Sequence, residues 1–265
     1  MRWRIPFSYG WATRAKTWLD KLSFFAIWFG PLLLLCGQFS KKNGRFLLQF
    51  ALAAAAQYAL YETGYLKNDF VTIQKERHPN DRLPPKMRLE VGAQYWKILR
   101  SRWSAAAICM GLLVGTGMKA AALMRFSLAL GAMLLAFELH NTIRSRWNIL
   151  TYLLLCSAKY AALPALFCPP ETLGEALAVL FFCFPLPRSV EHASKEKYGL
   201  CFLREAPVWF RVRYYAVLSA VACIGTILSQ IPLYAALLSL WFYGYRSGIA
   251  AAAEWLFPLR ERAWR

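Results

Sequence analysis

The sequence predicts an all-α protein, a polytopic bundle of transmembrane helices. Its composition, its apolar segments and its charge distribution predict this fold class. Hydrophobic residues make up 58% of the 265 residues, and long uncharged runs separate clusters of charge. Such runs are typical of membrane-spanning helices. The formal charge of +18 fits basic loops that flank a membrane better than it fits a nucleic-acid partner.

Eight apolar segments follow one another along the chain, and a break of the last one near Gly244–Gly248 would make nine. They cover residues 22–39, 46–65, 103–118, 120–139, 148–168, 173–187, 209–229 and 231–257. We therefore expect a single transmembrane helical domain over 22–265. Residues 1–21 are cationic and aromatic, and we expect them to form an amphipathic segment on the membrane surface.

The Lys and Arg residues predict the orientation of the bundle. Eight spans place both termini and the connections 66–102 and 188–208 on one side, together with 26 of the 32 basic residues. Only five basic residues fall on the opposite side. The positive-inside rule puts the basic side in the cytoplasm. We expect a bacterial-type inner-membrane protein with a cytoplasmic N-terminus.

A polar stretch after the second apolar segment is the first candidate site. If the helix continues past Gly64, residues Asn68, Thr72 and Glu76 share one face, with Asp69 beside them. An Asn and carboxylates at the water edge could hold Mg2+, which binds a few oxygen ligands together with substrate phosphates. The alternative is a solvated polar helix end.

A mixed-charge cluster after the sixth apolar segment is the second candidate site. Arg188, Glu191 and Lys195 share a helical face at spacings of three and four residues. The basic side chains suit the oxygens of a phosphate-bearing substrate, and the carboxylate suits a metal. The alternative is a cluster that only anchors the helix at the membrane interface.

Lys159 is the third candidate, because it lies near the middle of the fifth apolar segment. A cation inside a membrane is costly and usually faces a cavity or a partner. We favour a cavity-facing role over snorkelling, since about ten residues separate Lys159 from either end of its segment.

In this layout, the chain resembles the UbiA superfamily of intramembrane prenyltransferases. That family carries an acidic motif after its second helix, matched here by Asn68, Asp69 and Glu76, and a second acidic motif after its sixth. Thr72 and Glu76 stand where the family motif has aspartates, and the second site has no aspartate. The sequence Glu76-Arg77-His78-Pro79, with Arg188 and Glu191, is similar to the polyprenyl-phosphate phosphoribosyltransferase branch.

The resemblance implies a UbiA-like fold and a transferase that ionises a diphosphate donor, either a prenyl diphosphate or phosphoribosyl diphosphate. The acceptor would be lipid-soluble, such as a polyprenyl phosphate, and would approach from the lipid bilayer. The implied ligands of the Mg2+ cofactor are Asn68, Asp69 and Glu76. The implied catalytic residues are Asp69, Glu76, Glu191 and Lys159. The implied donor-binding residues are Arg77, His78, Arg82, Arg188 and Lys195.

Two other functions remain open from the sequence. The chain could be a small transporter or flippase of an anionic lipid-linked substrate, which would also use Lys159 and the basic loops. It could instead be a non-catalytic family member whose motifs no longer bind a diphosphate. No internal repeat supports the transporter, although many transporter folds contain one.

Overall fold

The computed structural model describes residues 2–40, 44–75, 83–195, 198, 203 and 207–256, and all regular structure among them is helical. We number the main helices in chain order. They are α1 Ser8–Thr13, α2 Trp18–Phe39, α3 Phe46–Lys67, α4 Pro85–Gly92, α5 Tyr95–Gly115, α6 Ala120–Thr142, α7 Asn148–Phe167, α8 Pro170–Cys183, α9 Pro185–Ala193, α10 Pro207–Ile227 and α11 Leu233–Leu256. Helices α8 and α9 follow directly on one another.

Local sequence signals account for several helix starts. Thr17 caps α2 by accepting from the backbone of Asp20, and the Asp20 side chain accepts from the backbone of Thr17, which completes a capping box. Proline stands within the first two positions of α4, α8 and α9. Proline is favoured there because its missing N–H would have no partner in the first helical turn.

The helical membrane bundle is confirmed, with six candidate spans among the described residues. The six helices that are long and apolar enough to cross a membrane are Trp18–Phe39, Tyr95–Gly115, Ala120–Thr142, Asn148–Phe167, Pro170–Ala193 and Val208–Ile227. Helices α3 and α11, with 22 and 24 residues, fall outside this set. In α3, the polar residues Gln49, Gln57 and Glu62 interrupt the apolar sequence.

The predicted cytoplasmic connections contain more helix than the sequence suggested. Helix α5 begins at Tyr95, eight residues before the predicted segment, and α9 extends through residues 188–193 of the second connection. The start of α5 was predicted too late, because the basic residues before position 103 were taken to lie outside the membrane-spanning segment. Arg102 instead belongs to α5, and its side chain is fully buried in the bundle, where it pairs with Glu62 of α3.

The outer surface of the bundle is apolar. Large exposed hydrophobic side chains include Ile108, Leu128 and Val217, whose exposed fractions are 63%, 68% and 65%. The largest buried side chains include the aromatic residues Trp28 and Tyr58. An apolar exterior of this kind marks a surface that contacts lipid.

Polar contacts join several helix ends at one end of the bundle. Lys67 at the end of α3 pairs with Glu138 of α6 at 2.6 Å. The rings of His140 and His192 lie 5.7 Å apart, and Glu191 of α9 pairs with Arg211 of α10 at 2.5 Å. We call this the basic end, defined by Lys67, His140, His192 and Arg211. Among the described residues, the candidate site residues Asn68, Asp69, Arg188, Glu191 and Lys195 lie at this end.

A glycine allows α3 and α6 to approach closely beside the basic end. A Cβ atom at Gly64 would lie 2.3 Å from the Phe137 ring of α6. The amide of Asn141 on α6 also donates to the Gly64 carbonyl at 3.2 Å. This contact fixes the end of α3, from which Asn68 and Asp69 project.

Candidate functional site

Asp69 of the first candidate site is buried and fully engaged by its neighbours. The Tyr9 hydroxyl donates to Oδ2 at 2.6 Å, and Nη2 of Arg14 donates to Oδ1 at 2.7 Å. The Asn68 amide also donates to Oδ1 at 3.2 Å, and Asp69 is only 2% exposed. Both carboxylate oxygens are therefore committed to protein donors.

The ion pair between Arg14 and Asp69 is electrostatically favourable. Burial lowers the pKa of Arg14, but its hydrogen bond to Asp69 and the charge of that carboxylate outweigh this effect and raise the pKa above its usual value. Burial and the charge of Asp69 both raise the pKa of Tyr9. At neutral pH, Tyr9 is a neutral donor and Arg14 a cation, and both stabilise ionised Asp69.

The turn after α3 changes the predicted spacing of the first site. Residues Asn68–Thr72 form a wider π-helical turn, in which side chains four residues apart no longer stack as they do in an α-helix. Thr72 donates to the Lys67 carbonyl at 3.4 Å. The other predicted members of this site, Glu76, Arg77, His78 and Arg82, lie outside the described residues.

The described part of the first site does not fit a resident Mg2+. A magnesium site needs oxygen ligands with free lone pairs, whereas Arg14, Tyr9 and Asn68 occupy the Asp69 oxygens. Across the described residues, no group of three His, Cys, Asp or Glu side chains could hold a metal. The guanidinium of Arg14 supplies the positive charge that a metal would bring.

The second candidate site is a cavity of about 280 Å³. It lies beside the second half of α9, and residues near the starts of α7 and α10 complete its lining. The lining residues are Tyr152, Arg188, Glu191, His192, Ser194, Lys195, Leu203 and Arg211. The three residues that the sequence placed on one helical face, Arg188, Glu191 and Lys195, all line it.

Glu191 joins two arginines across the cavity. Arg188 pairs with Oε2 of Glu191 from the same helix. Arg211 of α10 donates from Nε to Oε1 at 2.5 Å and from Nη2 to Oε2 at 3.0 Å. Among the described residues, the lining thus holds the three cations Arg188, Lys195 and Arg211 and the carboxylate of Glu191.

His192 is held in place by polar residues on three sides. Lys195 Nζ lies 3.1 Å from Nδ1, while Nε2 lies 3.1 Å from Asn148 Oδ1 and 2.8 Å from the Tyr198 hydroxyl. The Asn148 amide donates to the carbonyls of His140 and Ile143, which fixes Oδ1 toward the ring. Since Lys195 is a donor, Nδ1 accepts and Nε2 carries the proton, so the geometry fits a neutral imidazole.

Tyr198 keeps its proton in this network. Burial raises the pKa of Tyr198 to about 12, although the charge of Arg144 lowers it in part. Its hydroxyl donates to Asn148 Oδ1 at 2.6 Å. The ring of Tyr152 stacks on the imidazole ring of His192, with ring centroids 4.1 Å apart. The imidazole therefore forms a rigid wall of the cavity.

Lys159 lies among aromatic rings. Its Nζ is 3.6 Å from the Trp28 ring centroid, 5.2 Å from Tyr61, 5.7 Å from Tyr160 and 5.8 Å from Phe184. No carboxylate pairs with it among the described residues, so cation–π contacts stabilise its charge. The predicted cavity-facing role of Lys159 stays a prediction, because Lys159 packs among these rings and is not one of the residues that line the cavity.

A polar face of α7 connects Lys159 with the cavity. Asn148, Tyr152, Cys156 and Lys159 follow at spacings of four, four and three residues and so share one side of the helix. Tyr152 and Arg188 interact at the cavity, and the charge of Arg188 acts on Lys159. The charge of a cavity residue, Arg188, therefore affects Lys159 as well.

The structure also places two arginines at this end that sequence reasoning assigned only to basic connections. Arg211 lines the cavity, and Arg246 of α11 is 8% exposed. Both occur within or beside apolar segments. An ionisable residue in an apolar segment is a functional candidate by default, so that signal could have identified them.

Comparison of the chain with family models, with curated proteins and with solved structures finds no match.

Proposed function

We propose that this chain is a multi-pass membrane transferase that holds the diphosphate of a prenyl or phosphoribosyl diphosphate donor in the cavity. The observation that carries the proposal is the convergence of Arg188, Lys195 and Arg211 on one cavity, where Glu191 is the only carboxylate among the described lining residues. Arginine and lysine are the usual ligands of phosphate oxygens. The transferred group would go to a lipid-soluble acceptor such as a polyprenyl phosphate.

The proposal includes eight spans of a UbiA-like bundle in an inner membrane, with the basic end and the N-terminus in the cytoplasm. The asymmetry of Lys and Arg supports this orientation. Helices α3 and α11 have lengths suited to the two further spans. The donor would then enter from the cytoplasm and the acceptor from the bilayer.

The proposed catalytic role of the cavity is to stabilise the negative charge that develops on the diphosphate leaving group. As the bond between the donor carbon and the diphosphate oxygen breaks, its electron pair moves onto the diphosphate. Positioned cations lower the free energy of that developing charge. Arg188, Lys195 and Arg211 would do this, with Glu191 orienting the two arginines and Lys159 adding positive charge deeper in the bundle. Mg2+ stays a prediction that depends on Glu76.

Donor binding tests the proposal directly. Thermal unfolding of the full chain in detergent is measured with farnesyl diphosphate and with phosphoribosyl diphosphate. A ligand that binds only the folded state at a hundred times its Kd raises stability by about 2.7 kcal/mol. We expect one donor to stabilise the protein and Arg188→Gln to remove the effect. No response to either donor would refute the proposal.

A matched control separates the cavity from general charge effects. Lys119 is exposed at the start of α6 and does not line the cavity. Lys119→Gln removes one positive charge and should leave stabilisation by the donor unchanged. If Arg188→Gln and Lys119→Gln lost donor stabilisation equally, donor binding would depend on the net charge of the protein and not on the cavity.

A transporter of an anionic lipid-linked substrate is the second candidate, favoured by the polar face of α7. Asn148, Tyr152, Cys156 and Lys159 extend polar groups from the cavity toward the middle of a span. Movement of a labelled polyprenyl phosphate across vesicles containing the protein, with no turnover of donor, would support it. Turnover without movement would support the transferase.

A further inference from the structure

Arg246 brings a fourth cation close to the cavity, although it is not one of the lining residues. It lies on α11, is 8% exposed, and its buried Nε has no hydrogen-bond partner. Among the described residues its guanidinium donates no hydrogen bond and forms no ion pair; its ring contact is with its neighbour Tyr245, at 5.3 Å. The desolvation of Nε is not compensated by a hydrogen bond, which is unusual for a buried polar atom.

The charges around Arg246 increase this cost. It interacts electrostatically with Arg211 and Arg188, which repel it, and with Glu191, which attracts it. Both oxygens of Glu191 are already engaged by Arg188 and Arg211. Among the described residues, the Glu191 carboxylate therefore pairs with Arg188 and Arg211 and forms no ion pair with Arg246.

Among the described residues, the cations Arg188, Lys195, Arg211 and Arg246 outnumber the carboxylate of Glu191, so this part of the structure suits an anion with several charges. The cavity, at about 280 Å³, is at the small end of ligand pockets, which hold about 300–1,000 Å³. That volume suits a charged headgroup, while an attached chain would leave the cavity toward the lipid.

We infer that this region binds a diphosphate group through side chains alone, with Arg246 as a binding residue and without a divalent cation. The inference rests on the proposed function and deepens it, because it names the charge partner of the substrate. The first candidate site fits the same view, since Arg14 already neutralises Asp69 there. A bound diphosphate would give the guanidinium of Arg246 the partner that the described residues do not provide.

The test is isothermal titration of the full chain in detergent with inorganic diphosphate, once in EDTA and once in Mg2+. Parallel titrations with inorganic phosphate and with farnesyl diphosphate distinguish a free anion from the headgroup of a lipid. We expect both diphosphates to bind in EDTA, and inorganic phosphate to bind more weakly by about tenfold or more, because it leaves part of the positive charge unpaired.

Arg246→Gln and Arg246→Lys test the named residue, and Arg213→Gln is the control. Arg213 is exposed on α10, two residues from Arg211, and does not line the cavity. Arg246→Gln should weaken diphosphate binding by about tenfold or more, and Arg246→Lys should weaken it less. Without ligand, Arg246→Gln should unfold at the same temperature as the original protein or higher, because it removes an uncompensated charge.

Each outcome has a distinct meaning. Binding that requires Mg2+ would overturn this inference and leave the proposed function intact. Binding in EDTA that Arg246→Gln does not weaken would overturn the role of Arg246. Equal affinity for inorganic phosphate would overturn the preference for a diphosphate. No binding under any condition would overturn the proposed function together with the inference.

Discussion

Glu62 and Arg102 form an ion pair in which both side chains are completely buried. Arg102 Nε lies 2.6 Å from Glu62 Oε2, and each side chain has an exposed fraction of 0%. Glu62 also accepts hydrogen bonds from the backbone of Phe7 and Gly10, while Arg102 donates to the carbonyls of Trp3 and Arg4. The pair fastens the N-terminal residues to α3 and α5.

Removing one member of this pair should destabilise the protein severely. Arg102→Met leaves Glu62 buried and unpaired, which costs about 3–5 kcal/mol. The double variant Arg102→Met with Glu62→Gln should recover part of that loss, because no buried charge remains. Thermal unfolding in detergent measures both. A double variant less stable than Arg102→Met would contradict a dominant charge effect.

Gly10 should tolerate no side chain. A Cβ at this position would lie 1.9 Å from the Tyr58 hydroxyl and 3.1 Å from Glu62 Oε1. Gly10→Ala should therefore separate residues 3–14 from α3 and make them accessible to limited proteolysis. Gly44→Ala is the control, since a Cβ there meets nothing within 4 Å. Equal cleavage rates in the two variants would disprove the close approach.

Asp69→Asn distinguishes an anchor from a metal ligand. The structure joins Asp69 to Arg14 and Tyr9, so Asp69→Asn and Arg14→Gln should each lower stability by about 1.5–3 kcal/mol. The double variant should cost less than the sum of the two. A metal ligand would instead show loss of Mg2+-dependent stabilisation in Asp69→Asn alone.

Lys159→Met should preserve the fold and reduce turnover. Methionine fills a similar volume among Trp28, Tyr61 and Phe184, and no described carboxylate loses a partner. The unfolding temperature should stay the same or rise, whereas donor turnover should fall, because positive charge near the cavity is lost. Unchanged turnover would limit Lys159 to a packing role.

The pKa of Tyr198 predicts a loss of stability at alkaline pH. Burial raises this pKa from 10.0 in the unfolded chain to about 12 in the fold. Because the folded value is the higher one, the contribution is complete below pH 10 and is lost as the pH rises toward 12. Tyr198→Phe should show a smaller drop in unfolding temperature across this range. Parallel curves for the two proteins would contradict the raised pKa.

The sequence located the helices and part of the cavity, but not the pairing between distant residues. Helical spacing brought Arg188 and Glu191 together, whereas Lys195 lies just past the end of α9 and still lines the cavity. Arg211 completes the same cluster from another helix, and that contact depends on how α9 and α10 pack. The pairing of Arg14 with Asp69 spans 55 positions, so no local pattern could reveal it. Glu62 lay inside a predicted span, where its buried charge was a signal for a partner.

The hydrogen bonds between Arg102 and residues 3 and 4 affect the order in which the protein can fold during synthesis. The hydrogen bonds from Arg102 to the carbonyls of Arg4 and Trp3 span 98 and 99 positions. A ribosome must therefore complete α5 before residues 3 and 4 can find their final place, although domains commonly fold from the N-terminus during synthesis. Residues 3 and 4 are thus synthesised well before Arg102, the residue that secures them, and they reach their final place only after α5 is made.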